Sequence, residues 1–192
     1  KWITIGGEEI LEKAFEYAHE ADPKALLFYN DYNSERPEKR ERIYRLLKKL
    51  VDKGVPIHGI GLQGHWSIFE PSTEELEEAI ERYTSLGLQL HFTELDLSIY
   101  PWEKERRNKR PDEVDTLSAS SEQKQLKQYE KIFSVFRKHK DHITNVTFWN
   151  LSDRYSWLDY YPVRGRKNYP LLFDENLKRK NAYWKVVDFS ND

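Results

Sequence analysis

Apolar residues in this chain recur with two different periods. Leu11, Ala14, Phe15 and Ala18 form one stripe at helical spacing; Ile43, Leu46, Leu47, Leu50 and Val51 form a second. Leu76, Ala79, Ile80 and Tyr83 make a third, and Leu126, Tyr129, Phe133 and Phe136 a fourth, so four amphipathic helices are predicted. Four short runs read instead as buried strands: Ala25–Asn30, Pro56–Gln63, Leu88–Glu94 and Ile143–Trp149. They are apolar on both faces rather than alternating, the pattern of parallel strands covered by helices. Ser72 with Glu75 has the capping-box spacing, and Gly54 and Gly87 stand where helices should stop, each just ahead of a strand.

The repeating unit is therefore helix, glycine, strand, loop, with the first three strand entries about 31 residues apart. A (β/α)8 TIM barrel of roughly 250 residues has about that period. A doubly wound open sheet competes, but its glycine-rich phosphate turn after the first strand is missing. Four strands cannot close a barrel. The chain is thus expected to be roughly the second half of one, strands 5–8 with their helices, as a single unit over residues 1–192.

Composition narrows the partners. Thirty-one Lys and Arg against 33 Asp and Glu leave a formal charge of −2, which predicts neither nucleic acid nor an anionic membrane. No run of 18 apolar residues spans a membrane, and no leader pattern is present. Localisation stays open, with a lean toward secretion. Cysteine and methionine are both absent, so thiolate metal sites and disulfides are impossible, and Lys1-Trp2 reads as the middle of a longer sequence. Six Trp and twelve Tyr exceed the needs of an ordinary core and suggest a ligand that aromatic faces grip.

Barrel active sites lie at the C-terminal ends of the strands. The four exits here are Asn30-Asp31-Tyr32-Asn33, Gln63-Gly64-His65-Trp66, Glu94-Leu95-Asp96, and Trp149-Asn150 followed by Asp153 and Trp157. Each item has a plain structural explanation: Asn30, Asp31 and Asn33 are turn formers, a carboxylate pair caps or solvates a loop, tryptophans fill cores, and the basic run 104–110 is a solvated loop. The combination is what points to chemistry. Residues two apart on a strand face the same way, so Glu94 pairs with Asp96, and Gln63 with His65; adjacent strands then bring His65 near Glu94. A carboxylate ringed by donors stays ionised, as suits a nucleophile or a stabiliser of positive charge. Tyr32, Trp149 and Trp157 offer flat apolar faces with polar tips, a lining that fits a pyranose ring. Retaining glycosidases need two carboxyls about 5–5.5 Å apart, and Asp31, Asp96 and Asp153 all look like supporting residues rather than the second. His58, His65 and His91 lack metal-binding spacing, so a metal-dependent hydrolase is the weaker reading, and no metal or organic cofactor is expected.

The segments LLFYNDYN, GIGLQGHW, HFTELDLS, VTFWNLSDRYSW and PLLFDENLK, in order along the chain, resemble the C-terminal half of glycoside hydrolase family 10 endo-β-1,4-xylanases. The resemblance implies a retaining hydrolysis of xylan. It gives Glu94 as nucleophile, His65 and Asp96 as the groups orienting it, and Gln63 as a contact to the sugar at the cleavage point. Trp149 and Trp157 would wall the subsites on the non-reducing side, and Tyr32 and Asn33 would touch the sugar on the leaving-group side. Two departures stand out. The family usually has Gly where this chain has Asn150, and its acid/base glutamate, in a W-D-x-x-N-E stretch, precedes the first residue here. The expected partners are xylan and an N-terminal half-barrel segment; a non-catalytic binding fragment, or a split half inactive until complemented, is the alternative.

Overall fold

The computed structural model describes residues 4, 6, 7 and 9–189. Helices α1 (Glu9–Ala21), α2 (Pro37–Asp52), α3 (Thr73–Thr84) and α4 (Ala119–Lys138) carry the four predicted stripes, and a short α5 (Asn181–Val187) follows. Between them run β1 (Phe28–Asp31), β2 (Gly59–Leu62), β4 (Gln89–Ser98) and β6 (Ile143–Phe148), with three additional short strands, β3 (His65–Ser67), β5 (Arg107–Asn108) and β7 (Val163–Arg164). Strands β1, β2, β4 and β6 pair in that order, all parallel, while β5 and β7 form a separate two-stranded piece. This is a run of consecutive βα units.

The capping box forms as the sequence predicts: Ser72 Oγ accepts from the Glu75 N–H (3.1 Å) and Glu75 Oε2 from the Ser72 N–H (2.9 Å). The core lies between one face of the sheet and the helices. Leu47, Leu50, Leu76, Ile80 and Tyr83 pack there against Ile60, Leu62, Leu90 and Phe92. Coverage of both sheet faces, expected for every strand, holds only for β2, whose four residues are all buried. Thr144, Asn145 and Thr147 of β6 are exposed, as is Asn30 of β1, because nothing among the described residues packs on that side.

Two sequence expectations need correction. The third predicted strand does not end at Glu94; β4 runs on to Ser98, because β3 pairs alongside its far half, His65 opposite Asp96 and Ser67 opposite Ser98. The basic run 104–110 is not simply a solvated loop. Arg107 within it is clasped by Glu103 (2.8 Å) and Glu113 (2.5 Å), and Lys109 by Asp115 (2.7 Å).

Candidate active site

The site is made by the upper ends of β1, β2, β3 and β4. The register along β4 against β6 slips between Phe92 and Leu95, a bulge of one residue. Ahead of it the residues turned to the core are Leu90 and Phe92; beyond it they are Leu95 and Leu97, so the alternation changes phase at Thr93-Glu94. Both of those side chains consequently meet the same neighbour. Thr93 Oγ1 donates to Asn30 Oδ1 (2.9 Å), and Asn30 Nδ2 reaches Glu94 Oε1 at a long 3.4 Å. Bulges recur beside functional groups because they re-aim a side chain.

Asn30 sits on β1, which is separated from β4 by β2. The contact exists because the intervening residue is Gly61: a Cβ there would lie 2.5 Å from Asn30 Oδ1 and 3.0 Å from Thr93 Cγ2. Gly59 does the same two residues earlier, clearing the way for Phe28 to stack on His91 with ring centroids 3.8 Å apart. The glycines of GIGL therefore make a slot along one face of β2 in which β1 and β4 touch.

Glu94, His65 and Asp96 form one hydrogen-bonded chain. His65 Nε2 lies 3.1 Å from Glu94 Oε2, and His65 Nδ1 lies 3.0 Å from Asp96 Oδ2. The Trp157 indole N–H donates to that same Asp96 oxygen at 2.8 Å. The side chains of Glu94 and His65 are each 16% exposed and that of Asp96 only 1%, so the chain runs from the cleft surface into the interior. Burial lowers the proton affinity of His65, but Asp96 first and Glu94 second outweigh it, and the net direction is upward. Both ring nitrogens face carboxylate oxygens, and only an imidazolium donates to both. Burial pushes the Asp96 carboxyl up, opposed by its bonds from His65 and Trp157.

Trp149 stands edge-on to His65 at 6.1 Å and is 43% exposed, offering a free face. Trp157 is packed on both sides, against His65 (4.9 Å) and stacked on Tyr161 (5.2 Å), over which Arg106 is placed at 4.8 Å. Gln63 joins the site through its backbone, its carbonyl accepting from the Glu94 N–H at 2.8 Å. Tyr32, with Lys39 Nζ 3.4 Å from its ring, and Asn33, at φ 50°, line the β1 exit without a side-chain hydrogen bond to Glu94, His65 or Asp96. The sequence thus placed five residues in one connected cluster (Glu94, His65, Asp96, Trp149 and Trp157), with Gln63, Tyr32 and Asn33 at its margin. It undervalued Asn30 and Thr93, whose signal was the glycine pair between their strands. It also missed Tyr161.

The other carboxyls at strand exits are engaged. Asp31 accepts from Tyr29 (2.9 Å), Lys39 (2.7 Å) and the Tyr32 N–H (2.8 Å). Asp153 is buried against Lys180 at 3.0 Å. His58 accepts from the Leu27 N–H (2.9 Å) and His91 stacks on Phe28, so the three histidines considered for a metal serve three separate ends.

Residues 1–189 match the sequence profile of Glycosyl hydrolase family 10. The chain belongs to that family. It is 51% identical over 187 residues to endo-1,4-beta-xylanase B of Paenibacillus barcinonensis and 52% identical over 189 residues to an endo-1,4-beta-xylanase of Geobacillus stearothermophilus. Each match covers 97% of this chain and 55% of the relative. The crystal structure of the Paenibacillus barcinonensis xylanase complexed with a conduramine derivative superposes with a TM-score of 0.90, across 97% of this chain and 55% of that one. A family 10 xylanase of Thermobacillus composti gives a TM-score of 0.88 at 50% identity, covering 96% and 59%. The chain spans about half the length of the relatives it matches. The fold class is that of the (β/α)8 barrel, of which this family 10 chain supplies about half.

Proposed function

We propose that this chain forms the nucleophile-bearing half of a retaining endo-1,4-β-xylanase. The observation that carries the reading is the bond chain Glu94–His65–Asp96, with Trp157 closing its far end. It leaves one carboxylate at the cleft with its orientation fixed from behind and a free indole face, Trp149, beside it. The names of the two relatives supply the substrate: internal β-1,4-xylosidic bonds of xylan.

In this scheme a Glu94 oxygen attacks the anomeric carbon while the glycosidic bond breaks, and the leaving oxygen takes a proton from a glutamic acid outside this chain. That glutamate, now a base, removes a proton from water, whose oxygen attacks the anomeric carbon and releases Glu94. His65 and Asp96 hold Glu94 in line. Gln63 contacts the sugar at the cleavage point, Tyr32 and Asn33 the leaving-group side, and Trp149 the non-reducing side. Trp157 contributes through its N–H and edge, since both its faces are covered. Asp31, Asp96 and Asp153 all have fixed partners, which supports placing the proton donor in an N-terminal half-barrel segment.

The test joins this chain to four N-terminal βα units carrying the W-D-x-x-N-E glutamate and assays xylan hydrolysis. Glu94→Ala should cost on the order of 10⁴-fold or more in kcat with the fold intact; surviving turnover would remove Glu94 from its role. A binding-only or split fragment is the second reading, favoured by the half-length match, and the same assay on the chain alone separates the two.

A further inference from the structure

Asp153 was one of the carboxyls considered for chemistry, yet the structure buries it to 1% exposure against Lys180, itself 6% exposed. It sits midway along the loop between the two tryptophans, in a 3-10 turn over Asp153–Tyr155. Each of its groups has one backbone partner in the same passing segment or on its flank. The Asp153 N–H donates to the Phe173 carbonyl (2.9 Å), and Oδ1 accepts from the Leu171 N–H (2.8 Å). Lys180 Nζ donates to Asp153 Oδ2 (3.0 Å) and to the Tyr169 carbonyl (2.8 Å), and the Lys180 N–H donates to the Leu172 carbonyl (2.9 Å). Segment 169–173 also holds β4, because the Leu97 N–H donates to the Pro170 carbonyl at 3.1 Å, one residue beyond Asp96.

One short segment therefore fixes two things at once: the strand carrying Asp96 and, through Asp153, the loop carrying Trp157, which donates to Asp96. Ionic burial at this depth is costly. Burial pushes the Asp153 carboxyl up to about 6 and lowers the proton affinity of Lys180. An apolar pair of similar volume is often as stable or more so, and the best-attested use of a buried ion pair is to specify a geometry.

We propose that Asp153 and Lys180 are positioning residues, setting where Trp149 and Trp157 stand relative to Glu94 and Asp96. The proposal rests on the xylanase reading and deepens it. In the complete enzyme, this chain joined to its N-terminal units, the neutral pair Asp153→Asn with Lys180→Met should keep the thermal midpoint equal or higher. It should nonetheless lower kcat/KM on xylo-oligosaccharides on the order of ten-fold, mainly through KM, by loosening the wall. The indole N–H proton signal of Trp157 should move upfield as its bond to Asp96 lengthens. If the double variant does not fold, Asp153→Asn alone, which keeps the Leu171 bond and changes only charge, is read by the same two measurements. Wild-type KM together with an unmoved indole signal would overturn the proposal. Glu94→Ala in the same assembly separates the failures: if turnover survives it, the xylanase reading falls; if turnover is lost and the neutral pair behaves as wild type, only the positioning role falls.

Discussion

At position 150 an asparagine occupies backbone that favours glycine. Asn150 has φ 131°, in a region that a Cβ makes strained, and its amide donates to the Tyr155 carbonyl at 3.0 Å. The conformation costs about 1–3 kcal/mol for a residue with a side chain. A glycine recovers that, less roughly 0.5–1 kcal/mol of unfolded-chain entropy and one exposed hydrogen bond. Asn150→Gly should therefore stabilise by about 1 kcal/mol in a denaturation midpoint measurement, and a loss of stability would mean the side-chain bond outweighs the backbone. His65 offers a second test at this scale. Its folded proton affinity is raised above the ordinary 6.5 by Asp96 and Glu94 despite burial. The stabilisation this provides is fully present below about 6.5 and is lost as pH rises through the raised folded value. Glu94→Gln in the complete assembly removes one of the two carboxylates, so a ring-proton titration of His65 should fall below that of the unaltered protein. An unchanged titration would place Asp96 alone in control of that proton.

Among the elements, β2 and β4 decide whether the cluster assembles, and here sequence pattern and structure part company. The helices were legible because one face of each meets the core; Leu76, Ala79, Ile80 and Tyr83 are all buried as their spacing requires. The pairing of Glu94 with Asp96 was legible from the two-residue period, and with it the approach of His65. The bulge at Thr93-Glu94 was not, since a one-residue register slip depends on the partner strand and leaves no composition signal. Nor was β3, whose existence rests on pairing with β4 beyond the predicted strand end. The slot made by Gly59 and Gly61 lay between: two glycines on one face of a buried strand announce a close approach without saying of what. Gly61→Ala puts a methyl group 2.5 Å from Asn30 Oδ1, so Asn30 must leave Thr93 and Glu94. The expected cost is about 1–3 kcal/mol of stability and on the order of ten-fold in kcat with KM nearly unchanged, since Asn30 acts on the attacking group rather than on sugar binding. Equal activity at reduced stability would show that Asn30 only packs.

For the whole molecule, the governing fact is that a parallel sheet of βα units is stable when both its faces and both its edges are covered. Among the described residues β1 pairs only with β2, and β6 only with β4, so each presents an open edge. The face opposite the helices shows Asn30, Asn145 and Thr147 to solvent, and Leu26 and Tyr17 are 59% and 64% exposed near the β1 side. The same geometry that leaves Glu94 without a free carboxyl opposite it leaves the sheet without its continuation, so one addition should cure both. The chain alone should hydrolyse no xylan and elute as associating species in size-exclusion chromatography with light scattering. Mixed or fused with the N-terminal units of a family 10 relative, it should become monodisperse and turn over substrate, and the acid/base glutamate of those units changed to Gln should remove the activity while keeping the single species. That pairing of outcomes matters because the two gains have different causes, strand pairing for the first and a proton donor for the second. Hydrolysis by the 192 residues alone would place the second carboxyl inside this chain, with Asp31 the first position to examine, since it is the nearest exit carboxylate that is not fully buried.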